Sequence, residues 1–191
     1  MSSSRPIVVY DACVLYPAPL RDFLMWLALS GHFQARWTSR IHDEWKRNLL
    51  RNRSDLKQEH IERTIRLMNA AIPDCLVEDF EEIIQDISLP DNDDRHVLAA
   101  AIRCNASYIV TFNEKDFPSE ALSSHGITAI HPDSFVEEIC NAEPASVLAA
   151  AKRQREQLKY PAMSIDAYLE TLRRLGMVQT THFLASYREV L

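Results

Sequence analysis

Apolar positions along the chain follow two periods. Short runs at PIVVY (6–10), FQARWT (33–38), SYIV (107–110) and GITAI (126–130) read as strands, the wholly apolar ones as parallel strands buried on both faces. Between them the spacing is helical. LRDFLMWLALSG at 20–31 is amphipathic and closes on Gly31. The next helix covers 39–52 with Ser39 as its N-cap, and at about 100° per residue Ile41, Trp45 and Leu49 make one apolar stripe, with Glu44 on its flank. A further helix over 55–72 turns Ile61, Ile65, Leu67 and Met68 inward and ends at Pro73. CLVED (75–79) is a strand or an extended link, and FEEIIQD (80–86) is short, fits more than one element, and carries solvated acids. An apolar helix passes through Val97, Leu98 and Ala101, and HPDSFVEEICN (131–141) makes another. Three more helical patterns follow at roughly 144–159, 164–175 and 179–190, divided by Pro161 and Gly176.

Strands that alternate with helices predict an α/β fold with a mainly parallel sheet. Glu143-Pro144 marks a boundary, giving a main domain over 1–142 and a helical extension over 143–191. The extension is too small to hold much of a core alone and needs the main domain or a partner to pack on.

Composition narrows the chemistry. With 191 residues, 47% hydrophobic and 25% charged, the chain is an ordinary soluble globular protein. Three glycines and no G-x-G-x-x-G or Walker run argue against a glycine-rich phosphate loop. Cys13, Cys75, Cys104 and Cys140 are scattered, with no C-x-x-C pair, so reduced thiols in the cytosol are expected. There is no signal-peptide pattern and no apolar run of membrane-spanning length. His42, His96 and His125 lack zinc-site spacing and are expected to be ordinary core or surface histidines.

Acidic residues cluster where an α/β sheet binds ligands, outside the carboxyl ends of its strands. Asp11 ends the first strand, and Asn113, Glu114 and Asp116 follow the strand at 107–110. Asp91, Asp93 and Asp94 stand at the start of the apolar helix. Each has a plain structural alternative: Asp11 as a turn cap, Glu44 as half of a surface ion pair, the aspartates as helix caps. Capping, however, uses one Asp and at most one more acid. Oxygen ligands without Cys or His clusters select Mg²⁺ or Mn²⁺. The net charge of −6 opposes a polyanionic partner. Bound cations would offset part of it, and KRNLLRNR at 46–53 concentrates positive charge.

VVYDACVLY, the helical Glu of IHDEW, LPDNDDRHVLAAA and IVTFNEKDFP, in that order over roughly residues 5–140, resemble the PIN-domain family, and more narrowly its VapC-like toxin branch. The resemblance implies a three-layer α/β/α PIN-like domain with a C-terminal helical extension, and a Mg²⁺- or Mn²⁺-dependent endoribonuclease acting as the toxin of a type II toxin–antitoxin pair. Its catalytic carboxylates would be Asp11, Glu44, Asp94 and Asp116. Asp11 and Asp94 would hold the main metal, Glu44 would bind through water or orient the nucleophile, and Asn113 with Asp116 would complete the outer side. Asp93 and Thr111 are helpers, and Lys46, Arg47 and Arg51 are the candidate RNA-binding residues. Asn113 departs from the family, which more often has an aspartate there, and Asp116 is the acid that could replace its charge. RNA and a small antitoxin protein are the implied partners, in the cytoplasm and without a membrane; a homodimer is left open. A non-catalytic RNA-binding or regulatory PIN module is the alternative, and a small-molecule phosphoryl-transfer enzyme is a weaker one.

Overall fold

The computed structural model describes residues 5–159 and 161–191. The chain runs β1 (Ile7–Tyr10), α1 (Ala12–Leu15), α2 (Ala18–Ala28), β2 (Gln34–Arg36), α3 (Ser39–Asn52), α4 (Gln58–Ala71), α5 (Glu81–Ile84), α6 (Arg95–Arg103), β3 (Tyr108–Val110), α7 (Ser119–Leu122), β4 (Thr128–Ile130), α8 (Pro132–Ala142), α9 (Pro144–Gln157), α10 (Ile165–Arg174) and α11 (Val178–Ala185). The four strands form one parallel sheet in the order β2-β1-β3-β4, the α/β class expected of a three-layer PIN-like domain. β1 is central, with Val8 opposite Ala35 on one side and Tyr108 on the other. Val8, Val9 and Tyr10 are fully buried, as a strand enclosed on both faces requires.

By contacts the chain divides into two compact units, Met1–Tyr16 with His32–Ile130, and Pro17–Gly31 with His131–Leu191. The boundary read at 142/143 falls between α8 and α9, whereas contacts group α8 with the later helices. In the first unit α6 packs on β1 and β3, and α5 packs on α6, its Ile83 and Ile84 joining Val77 and Phe80 just upstream against Ala99 and Ala100. CLVED forms no full strand: Trp37 and Leu76 make a single parallel bridge, with Trp37 N–H donating to Cys75 O (2.9 Å) and Val77 N–H to Trp37 O (2.9 Å).

In the second unit α2 packs on α9 and α10, α8 on α9 and α11, and α10 on α11. The extension thus gains its core from α2, which lies far upstream in sequence. Gln154 ties the two, its amide donating to Pro19 O (2.7 Å) while accepting from the Tyr168 hydroxyl (2.8 Å). Asp133 accepts from Gln179 N–H and Thr180 N–H at the start of α11 (2.8 and 2.9 Å). The final helix stops at Ala185, short of the 190 expected, and a 3₁₀ turn covers Arg188–Val190.

Two local expectations shift. Thr38, not Ser39, caps α3: its backbone is still extended and its hydroxyl accepts from Ile41 N–H (3.0 Å), while Ser39 is already helical. On α4, Ile61 and Met68 are buried but Leu67 is 59% exposed. Leu67 lies about 120° around the helix from Ile61, whereas Met68 falls within about 20° of it. Among the described residues no disulfide forms and no helix is long and apolar enough to cross a membrane.

Candidate active site

Strand order reverses where β1 lies beside β3, and the first residues beyond those two strands are Asp11 and Thr111. Both are held as the last rungs of the ladder, Asp11 N–H donating to Val110 O (3.1 Å) and Thr111 N–H to Ile130 O (3.0 Å). Asp11 is buried. Its Oδ1 accepts from Ala12 N–H (2.6 Å), and its Oδ2 accepts from the Thr111 hydroxyl (2.7 Å) and the Cys13 thiol (3.0 Å). It therefore caps α1, as the structural alternative held, yet has no Lys or Arg ion-paired to it among the described residues. Burial raises its pKa; the Cys13 and Thr111 hydrogen bonds pull it down, and the Glu44 charge adds to the rise.

The cluster at 91–94 separates cap from non-caps. Asp91 Oδ1 accepts from Asp93 N–H (2.8 Å), capping the 3₁₀ turn Asn92–Asp94. Asp94 stands at the N-terminus of α6 but makes no side-chain capping bond. Asp93 is exposed, and Asp94 is half-buried. Burial first, then the charges of Asp11, Asp91, Asp116 and Glu44, push the Asp94 carboxyl up to about 7. The four expected carboxylates, 11, 44, 94 and 116, thus share one electrostatic neighbourhood.

Glu44 projects from α3 toward α6, where His96 Nε2 lies 3.2 Å from its Oε2. Both line a cleft of about 600 Å³ together with Arg40, Arg47, Arg51 and Asp93. Helical geometry explains the selection: Arg40, Arg47 and Arg51 fall within about 60° of Glu44 around α3, and Lys46 about 160° away. Lys46 instead pairs with Asp43 (2.9 Å) and faces Ile65 and Arg66 of α4. So Arg47 and Arg51 join the site, Lys46 does not, and Arg40 enters although sequence had not singled it out. The i, i+7, i+11 spacing of the three arginines was its available signal. His96 had none, being 52 residues from Glu44.

At the end of β3, Asn113 is exposed, its N–H donating to the Thr111 hydroxyl (3.0 Å). Asp116, in the 3₁₀ turn Glu114–Asp116, is the group there whose negative charge reaches Asp94. His42 is a core residue, bridging Asn69 (3.0 Å) and Trp45 (3.0 Å), and His125 is exposed.

Among the described residues no group of three or more Asp, Glu, His or Cys side chains is placed to hold a metal ion by itself. Mg²⁺ commonly binds through one or two carboxylates, waters and substrate phosphates, so its sites need no complete protein cage. An oxygen donor set with an Asp94 carboxyl raised by burial and then by its acidic neighbours, and with no basic residue ion-paired to Asp11 or Asp94 among the described residues, fits a hard divalent cation.

A pH dependence follows. The Asp94 carboxyl titrates near 7 when folded and near 4 when unfolded, so between those values the folded state holds the extra proton. Its contribution to stability therefore falls as pH rises through that window and is constant above it. In EDTA, the melting-temperature advantage of Asp94→Asn over the parent should widen from about pH 5 to about pH 7.5. An equal advantage at both would refute the raised pKa.

Comparison with known proteins supplies two family matches. Residues 7–115, more than half of the chain, match the family model described as the PIN domain, and residues 132–186 match that of the VapC50 C-terminal domain. Over 43 residues the chain is 58% identical to a protein of Mycobacterium tuberculosis described as putative ribonuclease VapC50. That match covers 22% of this chain and 25% of the relative's length. No solved structure matches the chain.

Proposed function

The chain belongs to the PIN-domain family, and from that premise we propose that it is a Mg²⁺- or Mn²⁺-dependent endoribonuclease, the toxin of a type II toxin–antitoxin pair. The observation that carries the proposal is the division of labour at 91–94. Asp91 caps the 3₁₀ turn that leads into α6, while Asp94, at the α6 start, makes no capping bond and lies half-buried in the field of Asp11, Glu44 and Asp116. A helix start alone has no use for that accumulation of charge. Asp11 and Asp94 would hold the cation, with Glu44 and Asp116 flanking it and Asn113 as a neutral oxygen ligand. Thr111 would keep the Asp11 carboxylate oriented through its 2.7 Å hydrogen bond. When bound, the cation supplies positive charge to the phosphodiester and lowers the pKa of the attacking water. Asp93, exposed in the cleft, would help position that water or the cation's hydration shell.

RNA is the substrate that suits the rest of the cleft. Arg40, Arg47 and Arg51 have no acid paired with them among the described residues, and they flank Glu44 along one face of α3. A basic strip beside an acidic centre lets a polyanion approach despite the net charge of −6. The VapC50 name of the matched relative and of the C-terminal family model supports the toxin reading. A small antitoxin in the cytoplasm would then be the partner, with the exposed Leu67 face of α4 as a docking surface.

The test is incubation of purified protein with total RNA and Mg²⁺ or Mn²⁺, followed by EDTA. Endonucleolytic fragments that stop accumulating on chelation are expected. RNA that binds but stays intact with either ion would favour the non-catalytic PIN module instead.

A further inference from the structure

We infer that His96 is a positioning residue for Glu44, holding one carboxylate oxygen so that the other is presented to the cation. The inference rests on the metal-dependent reading above and assigns a task within that site.

His96 is 2% exposed, yet it sits on the apolar helix α6 where Val97, Leu98, Ala99 and Ala100 are buried without polar groups to satisfy. A buried imidazole on such a face needs a reason, because an unsatisfied polar atom is costly. Its Nδ1 has no hydrogen-bond partner among the described residues. Its Nε2 has one, Glu44 Oε2 at 3.2 Å. An ionised carboxylate only accepts, so Nε2 carries the proton in this bond. Among the described residues the ring's single polar anchor is therefore Glu44. A simpler core residue would pack α6 as well, without stranding a buried nitrogen.

The geometry matters for what Glu44 can do. Glu has three side-chain torsions, and Glu44 is only partly buried, so without a tether it would sample many orientations along α3. The Nε2–H bond removes that freedom and commits Oε2, leaving Oε1 for a cation or its water. It also ties α3 to α6, two residues after Asp94, so the spacing of Glu44 and Asp94 is set through one buried ring. Hydrogen bonds of this kind, from residues that do not themselves touch the metal, commonly change metal affinity by about 10- to 100-fold.

His96→Leu keeps the bulk and removes the donor; His96→Gln keeps an N–H near the Nε2 position. Melting temperature is measured against Mn²⁺ concentration for the parent, both variants, Glu44→Gln, and the His96→Leu/Glu44→Gln pair. We expect His96→Leu to raise the half-saturating Mn²⁺ by at least about 10-fold and His96→Gln to recover most of that loss. The double variant should be no weaker than Glu44→Gln alone, since His96 acts through Glu44. If His96→Leu does not fold, His96→Asn, whose amide stops short of Glu44, takes its place. A parent-like Mn²⁺ dependence in the donor-less variant, or a full second loss in the double variant, overturns the inference. A parent whose melting is blind to Mn²⁺ overturns the metal reading, and this inference with it.

Discussion

Asp11→Asn and Asp94→Asn are each expected to lower RNA cleavage by at least about 10²-fold, with the circular-dichroism spectrum unchanged. The amide keeps the size and the accepting oxygen of the carboxylate. At position 11 the amide oxygen can still accept from Ala12 N–H, and the rotatable Thr111 hydroxyl can reverse to accept from the new NH₂. What disappears is the negative charge that a hard cation requires. At position 94 the substitution also relieves repulsion, so that variant should melt higher than the ion-free parent while cleaving less. A more stable yet inactive protein separates a ligand from a structural acid. Asp93→Asn should cost much less than Asp94→Asn, because Asp93 is exposed at the cleft wall and Asp91 performs the capping. Asn113→Asp should keep or raise activity, since it adds an acid where the family more often has one. Cleavage at parental rates by either the Asp11 or the Asp94 variant would remove the carboxylate assignment.

Replacing Arg40, Arg47 and Arg51 together by Gln should weaken single-stranded RNA binding at low salt by about 10²-fold and flatten its salt dependence by about 2 in log–log slope. The measurement is made in the Asp94→Asn background, so that substrate survives. The three guanidinium groups span about 16 Å of α3, room for several successive phosphates of one strand. Each neutralised phosphate adds about −0.7 to the slope for a single strand. Lys46→Gln is the internal control. It lies in the same charge run, but its ammonium is occupied by Asp43 and faces α4. Equal losses from Lys46→Gln and from each arginine would mean that binding follows overall charge, with no track along the cleft.

Much of this molecule was legible in its sequence, and for local reasons. β1 and β3 announce themselves as short apolar runs because an interior parallel strand is buried on both faces, whereas β4, at the sheet edge, leaves Thr128 exposed. The helices follow from their stripes, and the choice of Asp11 and Asp116 as candidates follows from the rule that ligands gather at strand ends. Period and end position are properties of a few neighbouring residues, so they survive without coordinates. The family resemblance extended that reach to Glu44 and Asp94, whose surroundings no local pattern specifies.

What tertiary structure decided was orientation and partnership. Local pattern does not tell the acids around 91–94 apart, and although the resemblance singled out Asp94, only the folded turn makes Asp91 its cap and surrounds Asp94 with acidic neighbours. Helical spacing could place Arg40, Arg47 and Arg51 on the Glu44 face and Lys46 opposite it, but only the folded structure shows which of those faces lines the cleft. Leu67 shows the same limit: hydrophobicity made it a core candidate, while its angle around α4 left it in solvent. His96 was expected to be an ordinary core or surface histidine, and its bond to Glu44 could not be read from sequence because that partner is on another helix. Likewise, α2 joins the C-terminal helices although it lies between β1 and β2 in the chain. Sequence carries periodicity and chemistry over a few residues, whereas a hydrogen bond or a shared charge field depends on distances that exist only once remote segments pack.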